Sequence, residues 1–484
     1  MEWQIILVAT IYMLLIFFIG MISARKTFKT RGGFIEEYFL GNRSMNGFIL
    51  AMTLTTTYIS AGSFIAGPGA AYSMGLGWVL LAMSQLPVGY LVLGVLGKRF
   101  AILSRKIKAI TVIDFLRERY QNNLVLALSA FGIIFFFLAA ITVQFIGGAR
   151  LFQSITGLSY ETALLIFAGG VIIYVTLGGF RTVVLTDAVQ GVVMFIGTFL
   201  LLFSSFKYGG GVKNVMMKLA SIDPGLITPF GPKNSLQIPW VTSFWVLVGF
   251  GVIGLPQVAV RGMAYKDSKS MHNAIIIGTI FTGFLMLGMH LIGAIGQVFL
   301  PEVNVADLVI PELSKKTLQP WLAGMFLTAP LAAILSTISS QLLVLSSTIC
   351  KDIYINFFKP DPDEHFIKKL SLIITGLAGL VVFFLSLNPP EFLVWLNLFA
   401  LAGMETVFLW PTLLGLYWPR ANAYGALASI ITGLGSYLFC HYFWPKPFGT
   451  HTIILPLTIG LSAFILISLV TTPPDEETIR KFWG

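Results

Sequence analysis

The chain has 484 residues, of which 56% are apolar, 14% aromatic and only 11% charged, and its mean hydropathy is +0.85. Soluble proteins carry about 25% charged residues, so this chain cannot cover a water-facing exterior, and most of its surface must meet lipid. A net charge of +10 raises the polyanion-binding class. Basic residues scattered through so apolar a chain are instead read as cytoplasmic loop markers of a polytopic membrane protein, with no nucleic-acid partner.

A membrane-crossing helix needs about 20 apolar residues. About thirteen stretches qualify, at 3–23, 45–74, 76–97, 124–150, 162–178, 188–206, 241–262, 273–300, 321–350, 370–387, 392–416, 422–443 and 453–470. The first lacks a basic n-region and a small-x-small cleavage site, and Arg25, Lys26, Lys29 and Arg31 follow it. That predicts a retained helix with its N-terminus outside. Counted loop by loop on this orientation, about 23 of the 31 Lys and Arg residues fall inside and about 8 outside. The bias supports an odd number of crossings and a cytoplasmic C-terminus. Loops are short, the longest being 207–240, so no appended soluble domain is expected.

The second and seventh stretches are interrupted. The second runs from Thr53 through Thr55, Thr56, Thr57, Tyr58 and Ser60 into Gly62, Gly67, Pro68 and Gly69, and the seventh contains Gly249, Gly251, Gly254 and Pro256. Proline removes a helical hydrogen bond and glycine weakens a helix by about 1 kcal/mol relative to alanine. In lipid the freed backbone groups are tolerable only against protein or a water-filled cavity. Two broken spans five apart run in opposite senses, the pattern of an inverted repeat with a binding site at the midplane. The competing reading is a pair of simple kinks, but each stretch carries several breakers where one would suffice. The ninth stretch adds Ala332-Ala-Ile-Leu-Ser-Thr-Ile-Ser-Ser-Gln341. Its adjacent Ser336 and Thr337 hydroxyls could grip a small hard cation together with unwound carbonyls, or could serve helix packing.

The sequence resembles the sodium/solute symporter family nearly end to end. The resemblance is carried by Gly178-Gly-Phe-Arg-Thr-Val-Val-Leu-Thr-Asp-Ala-Val-Gln190 and by the Ala-Ala-x-x-Ser-Thr segment of the ninth stretch leading to Lys351-Asp-Ile-Tyr354. Glu37–Met45, Val143–Arg150, Tyr265–Lys269 and Trp395–Leu398 point within the family to its bacterial pantothenate branch. The resemblance implies an all-α polytopic fold of about 13 transmembrane helices with a leucine-transporter-type 5+5 inverted-repeat core. Residues 45–206 and 241–416 would form the repeats, preceded by a helix and loop at 1–44 and followed by two helices at 422–470 and a tail at 471–484. It implies a sodium-coupled symporter for pantothenate in a bacterial inner membrane, surrounded by lipid, with sodium as coupling ion and no other cofactor. Carried over residue by residue, the sodium site would take carbonyls of Thr56, Ile59 and Ala333 and hydroxyls of Ser336 and Thr337. Relatives often carry Asp or Asn where this chain has Tyr58, so a carboxylate is lacking there.

Pantothenate brings a carboxylate, an amide and two hydroxyls. Anions favour helix N-termini, and the breaks at Gly62–Gly69 and Gly249–Pro256 are placed to offer backbone N–H groups. Thr57, Tyr58, Gln85, Gly251, Gly254, Gln257 and Asn397 are the substrate candidates. Gln144 is a further amide, and each amide taken alone could equally be an interhelical bond. Asp187, Arg261 and Glu405 are the gate or coupling candidates. Glu405 is the acid deepest in a span, a functional hypothesis by default. Arg150 and Arg261 near span ends suit snorkelling or a gate, and Asp187 suits a gate or a dipole-stabilised helix start. Cys350 and Cys440 are expected simply to pack, and five dispersed histidines make no metal cluster.

Other classes fit less well. Gly94–Lys98 lacks the spacing of a nucleotide-binding loop, which argues against a primary pump. No nucleophile–base pair or ligand set converges for an enzyme. A passive channel would be expected to show charge rings or filter loops. A related symporter for another small carboxylate or amino acid stays open at this stage.

Overall fold

The computed structural model describes all residues except 1–2, 30–42, 44, 178–179 and 359–362. The stretch Glu37–Met45 therefore lies almost wholly outside the described residues, as do Gly178 and Gly179 of the family signature and Arg31. Eight described helices are long and apolar enough to cross a membrane. Two helix pairs bent at a break bring the number to ten, and three shorter apolar helices complete thirteen apolar helical segments among the described residues.

In chain order the spans are Trp3–Lys29, Gly47–Tyr58 with Gly62–Met74, Leu76–Lys106, Asn123–Thr156, Tyr160–Leu177, Phe180–Tyr208, Ile238–Gly254 with Pro256–Met263, Ser268–Phe299, Pro320–Phe358, Glu364–Leu385, Leu393–Tyr417, Ala423–Phe443 and Ile454–Val470. Each falls on one predicted stretch. Exposed Leu7, Ile11, Leu14 and Phe18 recur at helical spacing along one face of the first span, as a lipid-facing surface requires. The ninth span is the axis of the bundle. Of its apolar stretch 89% is buried, against 33% for the tenth span.

Both predicted breaks are present, bent by 66° in the second span and 56° in the seventh. In the seventh, Leu255 is extended at φ −80°, ψ 116°, the conformation a following proline imposes. The break in the second span lies earlier than the glycines suggest. The chain unwinds at Ile59, which is extended at φ −76°, ψ 123°, and Pro68 sits inside continuous helix. A widened π turn at Gly62–Ala66, closed by Gly67 N–H donating to the Gly62 carbonyl, gives the proline ring the room an α turn would deny it.

Among the described residues, four short α-helices do not cross: Val112–Tyr120, Val212–Ile222, Val309–Thr317 and Glu476–Trp483. The first starts with a capping box between Thr111 and Asp114, which satisfies two orphan donors. The stretch expected as a tail forms the last of them. Its Phe482 is buried, the Arg119 guanidinium lies 4.9 Å from the Trp483 ring centre, and Lys481 pairs with Glu118. Segments assigned to the inside by charge thus meet at one end of the bundle. There too Arg43 donates to Ser104 Oγ at 2.8 Å, Arg105 to the Tyr265 carbonyl, and Lys351 pairs with Asp114. At the opposite end Trp78, Trp240, Phe244 and Trp395 form an aromatic cluster with ring centres 4.7 to 6.2 Å apart. Cys350 and Cys440 are free and buried.

Candidate ion- and solute-binding site

Unwinding at Ile59 frees carbonyls that the ninth span meets. Ser336 Oγ lies 2.9 Å from the Thr56 carbonyl and 3.0 Å from that of Ala333. Thr337 Oγ1 lies 3.2 Å from the Ile59 carbonyl and 2.9 Å from that of Ala333. Thr56, Ile59, Ala333 and Ser336 are fully buried and Thr337 is 2% exposed. Five neutral oxygens therefore converge from two helices where the lipid offers none, the donor set a hard monovalent cation takes. These are the five atoms expected from the sequence. Among the described residues, no group of His, Cys, Asp or Glu side chains could hold a metal ion.

Next to this cluster a cavity opens between the broken spans and the third, eighth and eleventh spans. It holds about 660 Å³ of space, its mouth included, and is lined among others by Thr57, Tyr58, Gln85, Gln257 and Asn397. Five of the seven substrate candidates thus share one wall system. Gly251 and Gly254 stand behind it. A Cβ on Gly251 would lie 2.2 Å from Glu405 Oε2, and one on Gly254 would lie 2.9 Å from Leu409. Their smallness lets the eleventh span press against the second break. The Tyr58 hydroxyl reaches Gln85 Oε1 at 2.7 Å and the Val248 carbonyl at 3.0 Å, so it ties the two broken spans and the third span together.

The half-helix N–H groups do not stand open to the cavity as anticipated. Ala61 N–H donates to Gln144 Oε1 at 2.8 Å, Gly62 N–H to Ser60 Oγ at 3.0 Å, and Ser63 and Phe64 N–H to the Ser60 carbonyl. The break is closed by its own residues and by the fourth span, because buried donors must be satisfied. Gln144 is therefore an interhelical bond. In the seventh span Pro256 heads the half that follows the break and has no N–H to offer.

Beside the five-oxygen cluster lies a charged network. Thr53 Oγ1 donates to Asp187 Oδ2 at 2.6 Å, and Arg261 Nη2 stands 3.8 Å from the same oxygen. Arg261 also donates to the Gln257 carbonyl at 2.9 Å and to Ser340 Oγ at 2.7 Å. The hydroxyls of Ser340 and Thr57 are 3.2 Å apart. Asp187 and Arg261 are fully buried, so Arg261 does not snorkel, and Asp187 lies well inside its helix rather than at the cap. Arg150 is buried too, paired with Asp307 and donating to the Pro390 carbonyl at 2.9 Å. Glu405 is fully buried, and neither carboxyl oxygen has a hydrogen-bond partner.

Sequence reasoning passed over Ser60, Ser63, His290, Ser340 and Gln341, all at this site. Ser340 and Gln341 stood inside the hydroxyl-rich run already noted. His290 was one polar residue in an apolar span, and its neighbours in sequence say nothing of the cavity.

The sequence model of the Sodium:solute symporter family matches residues 38–433. The chain is 50% identical over 483 residues to a sodium/pantothenate symporter of Haemophilus influenzae, covering 99% of both chains. It is also 50% identical over 481 residues to a sodium/pantothenate symporter of Escherichia coli, again covering 99% of both. Among solved structures, a Na+-coupled sialic acid symporter in a substrate-bound outward-open state superposes with a TM-score of 0.80 at 19% identity, over 98% of this chain and 99% of that one. At that identity the likeness speaks for the fold alone, and that fold is the leucine-transporter-type 5+5 core.

Proposed function

The chain belongs to the sodium:solute symporter family, and from that premise we propose that it imports pantothenate with sodium across a bacterial inner membrane, its N-terminus outside and its C-terminus in the cytoplasm. Alternating access would come from rocking of the two repeats, 45–206 and 241–416, about the broken spans. The choice of solute rests on the 50% identity to two sodium/pantothenate symporters over almost the whole length of both chains.

The observation that carries the coupling is that Thr337 belongs at once to the five-oxygen cluster and to the cavity wall. An ion that turns this hydroxyl changes the surface the solute meets, and a solute that contacts it changes the ion's ligand. Each then alters the other's affinity by the same factor. Asp187, Arg261 and Ser340 would seal the inward side, and the aromatic cluster of Trp78, Trp240, Phe244 and Trp395 the outward side.

Uptake by purified protein in proteoliposomes tests this, with a panel of small carboxylates under imposed sodium, proton and voltage gradients. Saturable pantothenate accumulation driven by sodium is expected. Flux that only runs downhill would mean a channel, and preference for another acid would reassign the solute. One sodium with one pantothenate anion moves no net charge. A second sodium would add about 2.3 kcal/mol per 100 mV and make uptake voltage-dependent.

A further inference from the structure

His290 lines the cavity, and its hydrogen-bond partner fixes which ring nitrogen carries the proton. It lies on the eighth span and is 3% exposed. Its Nδ1 is 2.7 Å from the Met286 carbonyl. A carbonyl can only accept, so Nδ1 carries the proton, and in the neutral ring Nε2 keeps its lone pair. Nε2 is held against Gly67, where a Cβ would come within 2.4 Å of it. Both residues line the cavity. Any side chain at position 67 would cover the imidazole edge that glycine leaves open. The ring thus presents a hydrogen-bond acceptor, in the same wall system as Asn397 and Ser63.

We propose that His290 selects the solute by accepting a hydrogen bond from one of its hydroxyl groups, at the end of the cavity remote from the five-oxygen cluster. The proposal rests on the pantothenate reading and adds to it an orientation. Among the described residues no Lys or Arg lines the cavity, so the strongest positive field available to a carboxylate there is a cation held at Thr56, Ile59 and Thr337. Gly67 stands eight residues beyond Ile59 on the second span, about 12 Å along an unbroken helix axis and somewhat less across the 66° bend. Pantothenate has its carboxylate at one end and its hydroxyls at the other. Its extended length is that of about three peptide units, roughly 10 Å. One molecule therefore spans the two ends, carboxylate toward the ion and hydroxyls toward Nε2. Removing the contacted hydroxyl leaves a buried acceptor unpaired, which corresponds to about a ten- to hundredfold loss of apparent affinity.

The test uses the full chain in proteoliposomes, with pantothenate, two analogues that each lack one hydroxyl, and panthenol, in which an alcohol replaces the carboxylate. The wild type should lose about ten- to hundredfold in half-saturation against one deoxy analogue. His290→Leu should handle that analogue and pantothenate alike. His290→Gln, which sets an amide oxygen near the position of Nε2, should restore the discrimination. The penalty for panthenol should be the same in all three proteins, because it reports the other end of the molecule. Thermal melting of the purified variants identifies a folding defect, and His290→Ala then replaces His290→Leu. A hydroxyl penalty that persists undiminished without the imidazole overturns the proposal while leaving the function standing. Absence of any sodium-driven pantothenate uptake by the wild type overturns the function reading and this one with it.

Discussion

Replacing Ser336 with alanine and Thr337 with valine removes two of the five oxygens that converge at the second-span break, and valine keeps the shape of threonine. A contact to a charged group contributes about 1.5–3 kcal/mol, so two of them set an upper range of about 3–6 kcal/mol. Two effects reduce it. Water can enter the space left by the serine hydroxyl, and the wild-type hydroxyls must give up bonds of 2.9 to 3.2 Å to the Thr56, Ile59 and Ala333 carbonyls before serving an ion. A net of about 1.5–3 kcal/mol remains, which raises the sodium concentration for half-maximal uptake roughly ten- to hundredfold. The single variants should differ in kind. Ser336 does not line the cavity, whereas Thr337 does. Ser336→Ala should shift the sodium dependence and leave solute affinity at saturating sodium intact, while Thr337→Val should shift both. Uptake in proteoliposomes, titrated with sodium at several solute concentrations, separates the two. An unchanged sodium dependence in a folded double variant would refute the site.

Gly251→Ala should abolish most uptake, because its methyl would lie 2.2 Å from Glu405 Oε2 and overpacking costs about 1–3 kcal/mol. Adding Glu405→Ala should recover part of the loss, and a double variant as inactive as the single would show that the contact is not the cause. Gln144→Leu leaves Ala61 N–H without its acceptor at a cost of about 1–3 kcal/mol, read as a lower melting temperature of the purified protein. His451, in the loop between the twelfth and thirteenth spans, has its pKa pushed down to about 4 by burial and, to a lesser extent, by His441. Its Nδ1 accepts from Ile453 N–H at 3.3 Å and its ring packs on Phe244. The unfolded chain therefore binds this proton first as pH falls, so stability is full above about pH 6.5 and declines toward pH 4. His451→Asn, which keeps an acceptor but does not titrate, should flatten the melting temperature over that window.

The crossings were legible because an apolar run of about 20 residues has few other uses, and all thirteen fell where the sequence put them. That two spans are broken was legible from crowded helix breakers. Where the second one breaks was not. Glycine and proline drew attention to Gly62–Gly69, yet the chain unwinds at Ile59, because the partners that satisfy the freed groups sit elsewhere in sequence. Gln144 takes the Ala61 N–H, and Ser336 and Thr337 take the Thr56 and Ile59 carbonyls. Local propensity is blind to such partners. The same distance hid His290, whose neighbour Gly67 arrives from another span. The small helices at the bundle ends escaped notice since an amphipathic helix of nine residues, such as Val112–Tyr120, is too short to register as a span.

The scarcity of charge noted at the outset constrains the mechanism. An isolated charge in the low-dielectric interior costs several kcal/mol unless paired, and Asp187 and Arg261 meet that condition jointly, together with Thr53 and Ser340. Glu405, without a hydrogen-bond partner, meets it best as a neutral acid. Had the ion cluster contained a carboxylate, a sodium ion could have been held tightly without solute, and the cycle would stall with the ion bound. Five neutral oxygens bind more weakly, and four of them already make two hydrogen bonds between the second and ninth spans. Tight occupancy by sodium would then need the solute's own negative charge in the adjoining cavity, which would make the anion part of the sodium site and sodium part of the anion site. A strictly neutral site would therefore favour obligatory coupling.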